Sequence, residues 1–485
     1  MLVRNIYIRV AANFAVAAIN FIPIILIVKV FGSQTWGKVV YYYSLAGVLS
    51  SLSDLGLSTA YNKFLAAEND LKDIFAFLTL KIILIFIYVL IFTAVYLLKF
   101  RYDSANSILL KIGFVAIFLE LFANFFTATM VGKRDFFYLS VVEIASACIL
   151  FIYTVGICLF KPNVYMLGYS KAIVPLVTVI GGFFYFGKKS LFRFSVPQAS
   201  YFKKYISYSL PIGFSNICER LLSHFDKLVL GNLLGTGEVG FYQIAQRCYA
   251  GVDRFIKPVT STMFTEIVHR ITKDQSFFRK QFKSLVETLN FAGAIFVIII
   301  IFAGRPIVQL FFGAENLRSA FILQFFALSV MGRLFWRPYA HVIFALEKHR
   351  LITALEPLTL VVIIACYYLL IPLKIGDSFY LGAAALPITE FITWFLPVGF
   401  LRIIILKKQY GNIHIWDIVL KIWLPLAIII STALFVRSVL MLPLAIFAFI
   451  LIEYFLNIIN GQRLQELIAP LKQIMHAERS QVEYS

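Results

Sequence analysis

Residues 108–130, ILLKIGFVAIFLELFANFFTATM, form an apolar segment that holds the ionisable Glu120 and the polar Asn124 in its interior. About twenty apolar residues allow a helix to cross the hydrocarbon core of a bilayer. An ionised side chain near the bilayer centre costs roughly 2.5 to 3.5 kcal/mol, so such residues are expected to face a wet cavity rather than lipid. The segment therefore predicts a transmembrane helix with one hydrated side.

Segments of the same character follow one another along the whole chain. The composition is 61% hydrophobic and 14% charged, whereas a soluble domain has about 25% charged residues. These observations predict an all-α polytopic membrane protein. We expect about fourteen transmembrane helices, near 7–30, 37–57, 74–98, 108–130, 138–160, 164–186, 206–230, 239–262, 284–304, 317–343, 353–373, 379–401, 414–436 and 440–460.

The basic residues predict the topology. The chain carries a net charge of +19, but its Lys and Arg residues lie in short loops rather than in a long basic stripe. A nucleic-acid partner is therefore not expected. If the N-terminus is cytoplasmic, about 23 of the 44 basic residues fall in inner loops and about 9 in outer loops. Both termini are predicted to be cytoplasmic.

A basic connection and an internal repeat predict the domain organisation. The loop at 31–37 (FGSQTWG) aligns with the loop at 234–240 (LGTGEVG) at an offset of 203 residues. Each copy is expected to contain six helices, an even number, so the copies are expected to be parallel repeats. The predicted organisation is a six-helix bundle at 1–187, a cytoplasmic linker at 188–205, a second six-helix bundle at 206–401, two additional transmembrane helices at 402–460 and a cytoplasmic tail at 461–485.

Five short motifs carry a family resemblance. Residues 31–37 (FGSQTWG) and 53–60 (SDLGLSTA) resemble the opening signature of the polysaccharide-transporter branch of the multidrug/oligosaccharidyl-lipid/polysaccharide exporter superfamily. Residues 210–213 (LPIG), 226–231 (DKLVLG) and 239–245 (VGFYQIA) are similar to its seventh and eighth helices. The resemblance spans most of the chain in helix count and loop rhythm. Within the branch, the chain is most similar to O-antigen flippases of the Wzx type.

The resemblance implies a function and a setting. Such proteins move undecaprenyl-pyrophosphate-linked oligosaccharides from the cytoplasmic to the periplasmic leaflet of the bacterial inner membrane. We therefore expect two bundles around a V-shaped central cavity, alternating access coupled to an ion gradient, no enzymatic activity and no cofactor. The expected partners are the lipid-linked O-antigen or similar glycan, membrane lipids, a polysaccharide polymerase and a chain-length regulator. The hydroxyls of a glycan need a hydrophilic path, since each unsatisfied hydroxyl is costly in hydrocarbon.

The most polar predicted helices supply the first candidate substrate-binding residues. Arg220 and His224 are four residues apart and share a helix face, and Arg247 and Arg254 share a face seven residues apart. Arginine forms charge-assisted, bidentate hydrogen bonds with phosphate, so these side chains are candidates for binding the pyrophosphate. The alternative is salt bridging between helices, with Arg254 extending to the membrane interface.

Two further pairs are candidates for substrate binding. Arg9 and Asn13 share a face of the first predicted helix, and Arg333 and Arg337 lie one turn apart on the tenth. The second pair lies close to the cytoplasmic end of its span, where it is expected to recruit the diphosphate. The alternatives are an interfacial arginine with a packing asparagine at the first pair, and interface anchoring at the second.

Two acidic residues are candidates for ion coupling. Asp226 lies on the seventh predicted helix and Glu390 on the twelfth, near Pro387. A carboxylate inside the membrane can relay a proton or bind sodium. A neutral, hydrogen-bonded glutamate is the alternative at Glu390. No spacing typical of a metal site occurs.

Other functions are also compatible with a polytopic basic chain. A multidrug exporter of the same superfamily would share the two bundles, but embedded arginines disfavour cationic cargo. A membrane polysaccharide polymerase would need catalytic groups on sizeable external loops, and the predicted outer loops are short. The sequence contains no P-loop and no Gly-x-Ser-x-Gly elbow. A scaffold would not need charges inside the membrane.

Overall fold

The computed structural model describes residues 2–68, 71–100, 104–160, 163–191, 199–250, 275–345, 349–375, 379–395, 404, 419–435 and 441–455. These residues are almost entirely helical, and a short antiparallel hairpin pairs β1 (Lys374–Ile375) with β2 (Phe379–Tyr380). The predicted all-α polytopic fold is confirmed. The predicted count of fourteen transmembrane helices stays a prediction, as does the V-shaped cavity between two bundles.

The helices among the described residues are numbered in chain order. They are α1 (Leu2–Leu49), α2 (Leu57–Glu68), α3 (Leu71–Val95), α4 (Ser104–Gly132), α5 (Phe136–Phe160), α6 (Val164–Lys188), α7 (Ala199–Leu234), α8 (236–250), α9 (Gln275–Phe312), α10 (Leu317–Ala345), α11 (His349–Leu370), α12 (Ala385–Phe395), α13 (Leu424–Phe435) and α14 (Leu442–Phe455).

Length and apolar composition identify the membrane-crossing helices. Within the described ranges, 7 helical stretches are long and apolar enough to cross a membrane, which makes the chain a multi-pass membrane protein. They are Ala12–Ser53, Lys72–Leu98, Asn106–Gly132, Phe136–Phe160, Val164–Lys188, Val286–Phe312 and Ala314–Trp336. Helix α7 is 36 residues long, but its interior holds Glu219, Arg220, His224, Asp226 and Lys227, so it does not reach that hydropathy.

The first two predicted spans form a bent helix followed by a break. Helix α1 bends at Gly32, whose φ of 78° and ψ of 157° are not helical. The helix ends at Leu49, and a 3-10 turn occupies Ser50–Ser53. The hydroxyl of Ser50 donates to the carbonyl of Gly47 at 2.7 Å. Such local bonds compete with the helical hydrogen bonds.

Two residues with positive φ angles separate this turn from the next helix. Leu55 and Gly56 have φ angles of 45° and 75°, and α2 begins at Leu57. The second span was predicted to end near residue 57. It is instead interrupted there, and α2 continues beyond the predicted end.

The two repeat loops lie against each other. A Cβ atom on Gly37 would collide with the carbonyl oxygen of Thr236, and a Cβ atom on Gly240 would collide with that of Ser33. These two contacts exchange under the offset of 203 residues, since Ser33 corresponds to Thr236 and Gly37 to Gly240. The close approach of the two backbones explains the glycines.

Two compact units divide the described chain. The first comprises Met1–Pro258, Val308–Phe326 and Lys348–Thr393, and the second Val259–Ile307, Ala327–Glu347 and Trp394–Ser485. In the first unit, the Tyr61 and Phe77 rings stack with centroids 4.1 Å apart within an aromatic core. In the second, the indole N–H of Trp423 donates to Asn290 at 3.3 Å. The predicted boundaries at 187 and 205 stay a prediction.

The paired glycines should tolerate no side chain. We expect Gly37→Ala and Gly240→Ala each to destabilise the protein by about 1 to 3 kcal/mol, because the clash is with backbone and cannot be relieved by side-chain rotation. The measurement is the thermal unfolding midpoint of the purified protein in detergent. Gly156→Ala is the control, because no atom lies within 4 Å of its added Cβ. Equal midpoints for all three variants would contradict the close approach.

Candidate functional site

A buried ion pair lies at the break before α2. Asp54 follows the 3-10 turn, and its carboxylate accepts hydrogen bonds from the Ser58 hydroxyl at 2.5 Å and from the Lys81 ammonium at 2.7 Å. The side chain of Lys81, in α3, is only 1% exposed. Because an unpaired charge in hydrocarbon is so costly, each member of this pair makes the burial of the other tolerable.

A second ion pair joins α4 to α7. The Arg220 guanidinium donates to the Glu120 carboxylate at 3.4 Å, and the Tyr43 hydroxyl donates to the other oxygen of Glu120 at 2.6 Å. Arg220 is 20% exposed and Glu120 34% exposed. The charge of Arg220 also acts on Asp54 and Lys81. The two ion pairs therefore belong to one electrostatic network.

A polar cavity of about 350 Å³ opens beside these pairs. Its volume lies within the range of small-molecule sites, about 300 to 1,000 Å³. Carboxylate, hydroxyl, amide and guanidinium groups line it, together with two apolar side chains. The lining residues are Asp54, Ser58, Asn62, Asn124, Thr127, Ala128, Val131 and Arg220. The cavity therefore presents hydrogen-bond donors and acceptors among otherwise apolar helices.

A third network joins α7 to α8. The Asp226 carboxylate accepts from the Lys227 ammonium at 2.9 Å and from the Tyr242 hydroxyl at 2.9 Å. Asp226 and Lys227 are both buried. The charges of Asp226 and Glu390 both act on Tyr242 and on Tyr367. The structure thus brings the two candidate ion-coupling acids to the same pair of tyrosines.

The basic side chains of α6 and α8 gather near Tyr43. The ammonium of Lys171 lies over the Trp36 ring, 4.3 Å from its centroid, and 5.2 Å from the centroid of Tyr43. The charge of the half-buried Arg247 acts on both Lys171 and Tyr43. The imidazole of His224 contacts the Tyr43 ring edge-on at 5.9 Å. Basic side chains from three helices therefore lie near one tyrosine.

Glycine 47 makes room for the histidine in this group. A Cβ atom on Gly47 would overlap the imidazole ring of His224. The absence of a side chain at this position of α1 lets α7 bring His224 against Tyr43, one turn away. The packing of α1 on α7 therefore sets the position of the histidine.

The structure places the predicted site residues in three ways. It brings Arg220, His224 and Arg247 together around Tyr43, and Asp226 with Glu390 around two tyrosines. It leaves Asn13 exposed on α1 and Arg333 half-buried on α10, in the second unit. Arg254 lies outside the described residues, as do the side chains of Arg9 and Arg337, whose backbones are helical.

Sequence reasoning missed several residues of the site. Lys81 was not singled out, although a lone lysine inside the predicted span 74–98 is the same signal that marked Glu120. Asp54 was noticed only as part of a family motif. The aromatic partners Trp36 and Tyr43 carry no charge, so no signal in the sequence separates them from the other aromatic residues of the spans.

Metal binding finds no support in the side-chain clusters. Among the residues that the structure describes, no group of three or more His, Cys, Asp or Glu side chains could hold a metal ion. The acids of the site are instead engaged by ammonium, guanidinium and hydroxyl groups. The described site is therefore one of charged and hydrogen-bonding side chains.

Comparisons with known proteins identify the fold. The family model described as "Polysaccharide biosynthesis protein" matches residues 2–264. No curated protein matches the chain. Similar solved structures include the lipid II flippase MurJ in an inward closed conformation, at 15% identity and a TM-score of 0.62, covering 95% of this chain and 98% of that one.

Two further solved structures belong to the MOP superfamily. An inward-facing multidrug resistance MATE family transporter is 14% identical, with a TM-score of 0.60 and coverage of 83% of this chain and 99% of that one. A transporter from Pyrococcus furiosus is 14% identical, with a TM-score of 0.55 and coverage of 84% and 96%. The predicted superfamily is confirmed, and these three similar structures are transporters rather than enzymes.

The Asp54–Lys81 pair should be strongly coupled. We expect Lys81→Met to destabilise the protein by about 3 to 5 kcal/mol, because it leaves Asp54 as an uncompensated charge. The double variant Asp54→Asn/Lys81→Met should recover most of that loss. The measurement is the thermal unfolding midpoint in detergent, with Lys111→Met as control, since that exposed lysine lies over the Tyr96 ring without a carboxylate. A double variant no more stable than Lys81→Met would contradict the pairing.

Proposed function

The chain belongs to the polysaccharide biosynthesis protein family, and we propose that it is a flippase for a lipid-linked oligosaccharide. The substrate is an O-antigen or similar repeat unit attached to undecaprenyl pyrophosphate. The protein moves it from the cytoplasmic to the periplasmic leaflet by alternating access. The resemblance of the motifs supports this choice, and the fold shared with the lipid II flippase MurJ is compatible with it.

The observation that carries the proposal is the cavity beside Arg220. A carrier of glycans through a bilayer must replace the water that sugar hydroxyls lose, because each unsatisfied hydroxyl costs several kcal/mol in hydrocarbon. Asn62, Asn124, Ser58 and Thr127 supply hydrogen-bonding groups in this cavity. Such a lining suits a hydroxyl-rich headgroup better than it suits an apolar drug.

The guanidinium of Arg220 provides the phosphate contact. Its separation of 3.4 Å from Glu120 is long for a charge-assisted hydrogen bond, which usually spans about 2.7 to 2.9 Å. The guanidinium is therefore loosely held by its carboxylate and lies at the wall of the cavity. A pyrophosphate can take bidentate hydrogen bonds from it in place of the single long one. We assign Arg247 and His224 to the same headgroup from their position around Tyr43.

The remaining candidate substrate residues keep their proposed roles at other stages of transport. Arg9, Asn13 and Arg254 are proposed to line the path of the glycan. Arg333 and Arg337 are proposed to recruit the diphosphate from the cytoplasmic leaflet.

Ion coupling is proposed for Asp226 and Glu390. Asp226 is held by an ammonium and a phenol, and its charge meets that of Glu390 at Tyr242 and Tyr367. Binding of a proton or a sodium ion by one acid would change the field at the other through the same tyrosines. That change couples an ion gradient to rearrangement of α7 and α8.

The cellular setting of the proposal follows from its substrate. The lipid-linked glycan is made on the cytoplasmic side of the bacterial inner membrane, so the protein is proposed to lie in that membrane with both termini in the cytoplasm. A polysaccharide polymerase and a chain-length regulator would receive the translocated repeat units. Membrane lipids surround the exposed apolar side chains such as Phe160, which is 83% exposed.

A multidrug exporter is the second candidate function, because the fold is shared with a MATE family transporter. The charges of the site disfavour it. Asp54, Glu120 and Asp226 are each engaged by a basic side chain, so none of them is left to bind a cationic drug. Lys171 and Arg247 add further positive groups around Tyr43.

Neutralising the arginines tests the proposed function. We expect Arg220→Gln and Arg247→Gln each to lower surface glycan about tenfold or more, because each removes a charge-assisted contact with the diphosphate. The variants are expressed in a strain whose own flippase is deleted. Surface glycan is quantified together with the lipid-linked glycan that accumulates on the cytoplasmic leaflet.

Arg318→Gln is the control for this test. Arg318 also pairs with a glutamate, Glu238, at 2.9 Å, but the Arg318 side chain is 49% exposed. We expect it to sustain normal glycan display. Normal display with both Arg220→Gln and Arg247→Gln would remove these residues from the site. Accumulation of single repeat units on the periplasmic leaflet of the deleted strain would instead indicate a polymerase.

A further inference from the structure

Lys171 is a membrane-embedded basic residue that takes no part in the ion pairs of the described chain. It lies in α6, in the apolar stretch Val164–Lys188. Across the described parts of the chain, Lys81, Arg220, Lys227 and Arg318 form salt bridges with carboxylates, and none of these salt bridges uses Lys171. Its ammonium contacts aromatic rings instead. An embedded lysine without a carboxylate calls for another source of negative charge.

The aromatic partners hold the ammonium in a defined place. Trp36 and Tyr43 lie seven residues apart on α1 and therefore on one face of that helix. Their ring centroids are 4.3 Å and 5.2 Å from the Lys171 ammonium. Attraction between a cation and an aromatic face compensates part of the lost hydration. We refer to Lys171, Trp36 and Tyr43 together as the Lys171 clamp.

The clamp also contains an unused hydrogen-bond donor. Trp36 is 3% exposed, and its indole N–H is buried with no hydrogen-bond partner among the described residues. Buried indole N–H groups normally find an acceptor. An acceptor supplied by a ligand would satisfy this group. Lys171 and Trp36 thus offer a charged donor and a neutral donor at the same place.

The charges around the clamp are predominantly positive. Arg247 and Lys227 act on Lys171 with the same sign, and Glu120 acts with the opposite sign. Glu120 is already engaged by Arg220 and by the Tyr43 hydroxyl. The single carboxylate that acts on the clamp is therefore shared among several positive and donor groups. The excess of positive charge favours a ligand with more than one negative charge.

We propose that the Lys171 clamp is a second anion subsite, which binds one phosphate of a diphosphate group. The inference rests on the proposed function and adds to it a residue and a subsite distinct from the Arg220 cavity. Tyr43 links the two places, because its hydroxyl binds Glu120 of the Arg220 pair and its ring contacts Lys171. On binding, the ammonium moves from the rings to the phosphate oxygens. The Trp36 N–H supplies a further donor.

Titration with inorganic pyrophosphate tests the subsite. The full-length protein in phosphatidylcholine nanodiscs is titrated while tryptophan fluorescence is recorded, since departure of the ammonium from the indole changes the emission of Trp36. We expect a saturable change that Trp36→Phe abolishes. Lys171→Gln should weaken pyrophosphate binding about tenfold or more, and Lys171→Arg should restore most of it. Isothermal titration gives the affinities independently of the fluorescence.

Controls separate the subsite from general charge effects. Lys111→Gln removes another lysine that lies over a tyrosine ring, 5.1 Å from the centroid of Tyr96, and should leave pyrophosphate binding unchanged. In the wild-type protein, pyrophosphate should protect Lys171 but not Lys111 from acylation, as measured by mass spectrometry. This arm requires no variant to fold. Inorganic phosphate should bind more weakly than pyrophosphate.

Three outcomes would overturn the proposal, and each differs from failure of the proposed function. Pyrophosphate affinity unchanged by Lys171→Gln, or no protection of Lys171, removes the subsite even if Arg220→Gln blocks glycan display. Nanodiscs containing phosphatidylglycerol that abolish the pyrophosphate response would assign the clamp to a lipid headgroup. Lys171-dependent pyrophosphate binding in a protein that does not support glycan display would retain the subsite and reject the flippase.

Discussion

The cost of an ionised side chain in hydrocarbon governs how the helices of the first unit are arranged. Lys81 meets this cost with Asp54, Arg220 with Glu120, and Lys227 with Asp226. The first two pairs join different elements, and the third draws Tyr242 of α8 to α7 through Asp226. Since an unpaired partner would be strongly unfavourable, α2, α3, α4, α7 and α8 are held in register by their charges as well as by packing. Charged side chains can therefore be buried among the membrane-crossing helices.

The same constraint is the basis for the proposal that the site binds an anion. Asp54, Glu120 and Asp226 are each engaged by a basic side chain. Among the described residues, the Lys171 ammonium instead contacts the rings of Trp36 and Tyr43. The broken segment at Leu55 and Gly56 and the cavity beside it add hydroxyl and amide groups. Irregular backbone is tolerated at membrane depth where it lines a cavity. The proposed phosphorylated, hydroxyl-rich headgroup would match both the charge and the lining.

Hydropathy predicted the all-α membrane fold because a bilayer requires long apolar helices, and the Gly37 and Gly240 loops were visible as a repeat. The interruption near residue 54 was missed, since serines and one glycine in an apolar stretch do not show where a helix stops. Arg220, His224 and Arg247 were found by their charge at membrane depth. Their common neighbour Tyr43 was not found, because the convergence of α6, α7 and α8 on this tyrosine of α1 is a property of packing.

The most direct test of the account is photocrosslinking of the lipid-linked glycan to the cavity. A photoreactive amino acid is introduced at Thr127, which lines the cavity. The control position is Leu98, which follows α3 and is 88% exposed. Membranes containing radiolabelled undecaprenyl-pyrophosphate-linked oligosaccharide are then irradiated. The account predicts glycan label on the Thr127 protein, lost with Arg220→Gln, and little label on the Leu98 protein. Equal labelling at both positions, or labelling at Thr127 that survives Arg220→Gln, would contradict it.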